Sequence, residues 1–232
     1  METTLVPLGE FEFVCRNEAE LLTIYEEVFQ QRVFDFPGLG PCPNIIDCGS
    51  HIGVTVAFFK SAYPQSTITA FEPNPSTFSL LKNNVQRNQL GQVDLVNAAV
   101  SDRHGAAKLH TSPEHHNPWC WGDSLIKDIW DDTPVQECVE VPTVPLSAYI
   151  HETVDLLKLN VEGHEEQILC GVESLMKGIR NIILEYHGPT KILAKNSLPR
   201  IRELLVRQGF VVNTQAIPGA NPDHQCVVRA TR

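Results

Sequence analysis

An α/β fold, doubly wound around a mostly parallel seven-stranded sheet, is what this sequence predicts, and three observations predict it. From Asn44 onward, short apolar runs alternate with longer segments of helical period. The first run closes in Asp47-Cys-Gly-Ser-His-Ile-Gly53, with a helical segment directly after it. The final two runs alternate as an antiparallel hairpin does. A strand–helix–strand rhythm demands parallel strands joined by crossover helices.

Taken in order, Asn17–Arg32 reads as an amphipathic helix, because Leu21, Ile24, Tyr25, Val28 and Phe29 recur at helical spacing. Three prolines and two glycines in Phe36–Pro43 then break regular structure. This divides the chain into a helical lead-in at 1–43, packed or serving as a lid, and a main domain at 44–232. Asn44–Cys48 is a strand, Val54–Ala62 a helix and Thr67–Phe71 a strand. The next helix runs from Pro75 to about Asn88, proline being suited to a first helical turn whose N–H has no intrahelical partner. Val93–Val100 is the third strand. Ala107–His110 and Glu137–Val141 flank an irregular stretch from Thr111 to Val135, too long for an ordinary connection. Asp155–Val161 is a strand, Glu165–Met176 a helix, Asn181–Tyr186 a strand and Leu198–Gln208 a helix. Phe210–Thr214 and Gln225–Arg229 form the hairpin.

Composition narrows the function. The 232 residues are 42% hydrophobic, enough for one sizeable core, and 18 basic against 28 acidic residues leave a net charge of −10. That balance argues against nucleic-acid backbones and anionic membrane surfaces. No apolar run approaches the length of a membrane span, and Met1–Glu10 does not read as a signal peptide. Seven cysteines without a CxxC pair point to a reduced, cytoplasmic setting, with Cys48 and Cys170 expected as buried thiols. His104, His110, His115 and His116 lack metal-ligand spacing, so no metal is expected. Asp131-Asp132 reads as solvated, and Lys191, Lys195, Arg200 and Arg202 as an exposed basic helix face.

The first strand–turn–helix is a nucleoside-site pattern. Gly49 permits a sharp turn and close backbone approach, Gly53 close helix packing, and Glu72 follows 19 residues after Gly53 at the end of the second strand. A carboxylate there accepts both hydroxyls of a ribose. The middle glycine of G-x-G-x-x-G is replaced by His51, and Asp47 lies where a diphosphate would be repelled. A cationic sulfonium nucleoside, S-adenosyl-L-methionine, therefore fits better than NAD.

Five segments then carry a resemblance: Asp47–Gly53, Phe71-Glu-Pro-Asn-Pro75, Asn97-Ala-Ala-Val-Ser-Asp102, Asp155-Leu-Leu-Lys-Leu-Asn-Val-Glu-Gly163 and Leu184-Glu-Tyr-His187. In this order they resemble FkbM-type S-adenosylmethionine-dependent methyltransferases, of the class I (Rossmann-like) fold, from about Asn44 to Arg232. The resemblance implies that Asp47 and Gly49 border the methionine part, that Glu72 holds the ribose and that Asn97, Ala98 and Ala99 flank adenine. Ser50, His51, Gly53 and Pro73 belong to the same two turns. The family usually has alanine-asparagine at Ser50-His51 and aspartate at Asn160; an amide at 160 still hydrogen-bonds cofactor or acceptor.

Methyl transfer to a hydroxyl releases a proton, and a placed base speeds it. His187, at a strand end before Gly188-Pro189, is expected as base or acceptor ligand, with Glu185 on its face of the strand. Glu162 and His164 flank Gly163; either can face the acceptor, and Glu162 can instead anchor the cofactor amine. Trp119, Trp121 and Ser124, in an aromatic loop, are expected to cover the cofactor, grip an apolar acceptor or plug the loop onto the core. The predicted activity is O-methylation of a small molecule, with secondary-metabolite or saccharide hydroxyls suggested by the resemblance. N-methylation of an amine or peptide, a non-catalytic cofactor-binding module and an NAD-dependent oxidoreductase are the rivals.

Overall fold

A computed structural model describes residues 2–111, 121–127, 129, 137–188, 192, 194–217 and 221–232. Its elements are β1 (Thr4–Leu8), β2 (Phe11–Cys15), α1 (Glu18–Tyr25), β3 (Asn44–Cys48), α2 (Val54–Ala62), β4 (Thr67–Phe71), α3 (Pro75–Arg87), β5 (Val93–Val96), β6 (Ala99–Ser101), β7 (Gly105–Thr111), β8 (Glu137–Pro145), β9 (Leu156–Leu159), α4 (Glu165–Gly171), β10 (Asn181–His187), α5 (Leu198–Arg207), β11 (Val211–Ala216) and β12 (Gln225–Thr231).

The central sheet has seven strands in the order β11-β12-β10-β9-β3-β4-β5. Strands β10, β9, β3, β4 and β5 run parallel, and β12 and β11 close one edge antiparallel. Alternate residues feed two cores, as the two-residue strand period requires. Ile46, Cys48, Leu157, Leu159, Ile182 and Leu184 pack with α4 and α5. Ile45, Ile68, Ala70, Leu156 and Ile183 pack with α2, α3 and the amino-terminal segment. The doubly wound fold is thus present, and it brings the carboxyl ends of β3, β4 and β9 side by side.

Several boundaries differ from the sequence reading. The lead-in is not simply helical: β1 and β2 form an antiparallel hairpin before α1. α1 itself is eight residues long and continues as a wider π-turn over Glu26–Gln30. The hairpin is bound through amide side chains of α3. Asn84 accepts from the Val14 N–H at 2.7 Å and donates to the Val14 and Ile52 carbonyls, and Asn88 does the same for Glu12. The expected third strand divides, Val93–Val96 staying in the main sheet while Ala99–Ser101 pairs with β8 in a separate three-stranded sheet, order β6-β8-β7. The predicted Glu165–Met176 helix is an α-turn pair to Gly171 followed by a 3-10 segment, Glu173–Gly178. Cys48 is buried as expected, but Cys170 is exposed. Among the described residues no helix is long and apolar enough to cross a membrane, and no group of three or more His, Cys, Asp or Glu could hold a metal. Lys191, Trp119, His115, His116, Asp131 and Asp132 lie outside the described residues. Of the predicted basic face, Arg200 is tied to Glu166 and Arg202 to Thr214.

Candidate active site

A cleft opens over the carboxyl ends of β3, β4 and β9. Ten of the residues singled out from sequence line it: Gly49, His51, Glu72, Pro73, Ala98, Ala99, Trp121, Asn160, Glu162 and His164. Phe71, Val100, Leu109, Asp123, Leu125 and Val161 complete the lining. The periodicity of the chain gave no reason to single these out, since apolar strand-end residues look alike whether they face core or cleft.

The turn after β3 is shaped by three left-handed residues, Gly49 (φ 81), His51 (φ 50) and Gly53 (φ 96). At Gly49 a Cβ would sit 1.8 Å from the Asn160 carbonyl oxygen, so β3 and β9 approach here only because the side chain is missing. Gly53 starts α2 and sits against Leu81, behind the cleft. Ser50 also turns inward, its hydroxyl donating to the Asp47 carbonyl.

Glu72 is buried, and its two carboxylate oxygens accept from the His51 N–H at 3.0 Å and the Asn74 N–H at 2.9 Å. Burial pushes its pKa up to about 8, with Asp123 adding to the rise against the relief given by the two backbone donors. Asn97 braces this corner rather than the cleft, donating to the carbonyls of Glu72 and Pro73. Burial, with Lys158 and Arg16 nearby, lowers His51 to about 4, so its ring is neutral.

Asp47 occupies a different situation from the expected cleft rim. It is fully buried, paired with Lys158 at 2.8 Å and accepting from the Thr55 hydroxyl at 2.6 Å. Its charge therefore does not bar a diphosphate as expected, because Lys158 neutralises it. Lys158 also donates to the Gly49 carbonyl at 2.7 Å and lies over the Phe34 ring. The sequence signal was available: Lys158 is the one charged residue inside the apolar run Leu156-Leu-Lys-Leu159. Lys158→Met leaves Asp47 charged and unpaired in the core, and should cost about 3–5 kcal/mol in a denaturant titration; adding Asp47→Asn should recover most of it.

After β9, Glu162 and Gly163 are both left-handed (φ 51 and 93). For a glutamate that backbone is strained, a feature that gathers at functional sites. The turn aims the Glu162 carboxyl into the cleft. Behind it stands His187, 2% exposed, with Nε2 3.7 Å from Glu162 and 3.3 Å from Glu185, and Nδ1 3.4 Å from Glu165. Burial opposes a charge on this ring, but Glu162 and Glu185, with hydrogen bonds to Glu165 and Glu185, raise its pKa well above the usual value. His187 thus sits one layer behind the cleft lining, among three carboxylates that favour its charged form, rather than on the cleft wall where a base would meet the acceptor. Glu185 is bound by His187 and by Gln225 at 2.7 Å, and holds its charge. Glu162 has its pKa pushed by burial up to about 8, against the pull of His187. Ser124, expected as an acceptor ligand, donates instead to the Glu162 carbonyl at 2.7 Å and fixes the strained turn. His164 lines the cleft with its pKa lowered by burial.

These shifts set a pH dependence of stability. Glu72 and Glu162 bind protons more tightly folded than unfolded, so their contribution is complete below about pH 4.5 and is lost as pH rises through about 8. His187 acts in the same direction above its ordinary value. His51 acts oppositely, but only below pH 6.5. Thermal scans of the ligand-free chain should therefore show stability falling between about pH 6.5 and 8, by up to about 1.4 kcal/mol per pH unit for each group.

A mostly parallel sheet in this strand order, closed by an antiparallel hairpin and with a glycine turn after its central strand, is the class I methyltransferase fold. The chain belongs to the methyltransferase FkbM domain family, whose model matches residues 47–212. It is 28% identical over 263 residues to the 31-O-demethyl-FK506 methyltransferase FkbM of Streptomyces tacrolimicus, covering 100% of this chain and 98% of that one. Among solved structures it resembles a methyltransferase FkbM from Methylobacillus flagellatus, with TM-score 0.58 and 13% identity; the match covers 88% of this chain but only 47% of that longer one. It also resembles M. jannaschii TYW2 in complex with AdoMet, with TM-score 0.54 and 13% identity over 98% of this chain and 84% of that one. At such identity these two structures speak for the fold.

Proposed function

We propose that the cleft binds S-adenosylmethionine and directs its methyl group to a hydroxyl of a small, uncharged, largely apolar acceptor. The observation that carries this reading is the pairing, in one cleft, of Glu72 at the end of β4 with Glu162 after β9.

The residues present suit the cofactor. Glu72 retains lone pairs for two ribose hydroxyls beyond its two backbone donors. Ala98 and Ala99 leave room for a flat base. The buried Oδ1 of Asn160 has no hydrogen-bond partner among the described residues and suits a donor such as an ammonium. The cradle at Gly49, which any Cβ would fill, lets backbone approach the ligand. When bound, S-adenosylmethionine supplies a methyl group already activated by its sulfonium.

The chain's own part is positioning and proton removal. Glu162, once ionised, accepts the hydroxyl proton, and the His187 imidazolium behind it stabilises the carboxylate before that transfer. The base role proposed from sequence for His187 therefore passes to Glu162, with His187 and Glu185 as its support. No Lys or Arg is among the described lining residues, whereas Glu72, Asp123 and Glu162 are. An acceptor bearing a carboxylate or phosphate would be desolvated against acids, which favours a neutral one. One relative is named as a methyltransferase of 31-O-demethyl-FK506.

An intact-mass screen of neutral hydroxylated natural products, each with an amine counterpart, tests the reading. Methyl gain on hydroxyl compounds, dependent on chain and cofactor, is expected. Methyl gain confined to amines would move the activity to N-methylation.

A further inference from the structure

Glu20 lies on α1, ahead of the segment matched by the family model, and it touches the cleft from outside. Its side chain is 5% exposed. The carboxylate accepts from the Trp121 N–H at 2.9 Å, a residue 101 positions further along the chain, and approaches the His51 ring at 4.0 Å. A buried carboxylate costs free energy unless its contacts return it. Capping of α1 does not explain the placement, because Asn17 already accepts from the Ala19 and Glu20 N–H groups.

Residues 121–124 form a short strap, and its Asp123 and Ser124 are pinned beside Glu72 and Glu162. Asp123 accepts at 2.7 Å from the side chain of Asn74, two residues after Glu72. Ser124 pairs both ways with the His110 backbone and holds the Glu162 carbonyl. His51, the second neighbour of Glu20, donates its N–H to Glu72. Glu20 therefore stands where the strap and the turn after β3 meet, and it links the amino-terminal segment to both.

We propose that Glu20 is a positioning residue of the cofactor cleft: it holds the Trp121 end of the strap and the His51 turn together over the nucleoside. The proposal rests on the cofactor reading above and adds a residue beyond the family-matching segment. The hydrogen bond to Trp121 needs an acceptor oxygen rather than a charge, so glutamine can replace glutamate, whereas alanine cannot.

Calorimetric titration with S-adenosylhomocysteine tests this, using wild type, Glu20→Gln and Glu20→Ala, with melting temperatures measured alongside. Expected are a dissociation constant within about threefold of wild type for Gln and at least about tenfold weaker for Ala. Hydrogen exchange on the wild-type chain gives a second measurement that needs no variant to fold. Peptides spanning 121–127 and α1 should gain protection together when S-adenosylhomocysteine is added. Wild-type affinity in Glu20→Ala, or protection unchanged in the strap of a ligand-bound wild-type chain, would overturn the role of Glu20 alone. A wild-type chain that does not bind S-adenosylhomocysteine would overturn the cofactor reading, and this proposal with it.

Discussion

Glu162→Gln is expected to lower kcat by about 10²–10⁴ on any hydroxyl acceptor while leaving cofactor affinity within a few-fold of wild type. The substitution preserves size, the strained backbone and the carbonyl that Ser124 holds, and removes only the capacity to take a proton. In wild type, kcat/KM should rise with pH and level off above about 8, because the carboxyl that lines the cleft must first ionise. The sign follows from the role: a base is active deprotonated, and burial delays deprotonation. His187→Gln removes the cation that helps ionise Glu162, so it should move that limb to higher pH rather than abolish turnover. An amine acceptor, which can arrive already deprotonated, would show a much smaller loss in Glu162→Gln, and that contrast separates O- from N-methylation.

Glu72→Gln should weaken S-adenosylhomocysteine binding by about a hundredfold. A carboxylate accepting two ribose hydroxyls makes charge-assisted bonds, each worth about 1.5–3 kcal/mol. The loss of one full acceptor and of the charge accounts for about 3 kcal/mol, or two decades in affinity. Because Glu72 is lifted to about 8 in the free chain, ligand binding near pH 7 should release a proton, so affinity should strengthen as pH rises towards 8. Calorimetry in two buffers of different ionisation enthalpy measures that release directly, and it should vanish in Glu72→Gln.

Much of the architecture was legible because parallel strands and their crossover helices carry strong periodicity, as at Ile45–Cys48 and Pro75–Arg87. The hairpin at Thr4–Cys15 was missed although Phe11, Phe13 and Cys15 alternate inward, since its outer edge is satisfied by Asn84 and Asn88 rather than by a third strand. Burial there depends on side chains about 70 positions away, which no local window contains. The same reason limited the site. Gly49, Glu72, Asn160 and Glu162 could be placed because each ends a strand at the same side of a parallel sheet. The states of His187 and Asp47 could not, because they are set by Glu162, Glu165, Glu185 and Lys158, gathered from separate elements. Sequence identifies strand ends; tertiary packing decides which ionisable group faces the cleft and which one is neutralised behind it.

A crystal structure of this chain with S-adenosylhomocysteine bound decides whether Glu72 holds the ribose. Expected are both ribose hydroxyls within hydrogen-bond distance of the Glu72 carboxylate, the base beside Ala98 and Ala99, and the sulfur end directed towards Glu162. A nucleoside seated elsewhere, or Glu72 turned away from the sugar, would contradict that role.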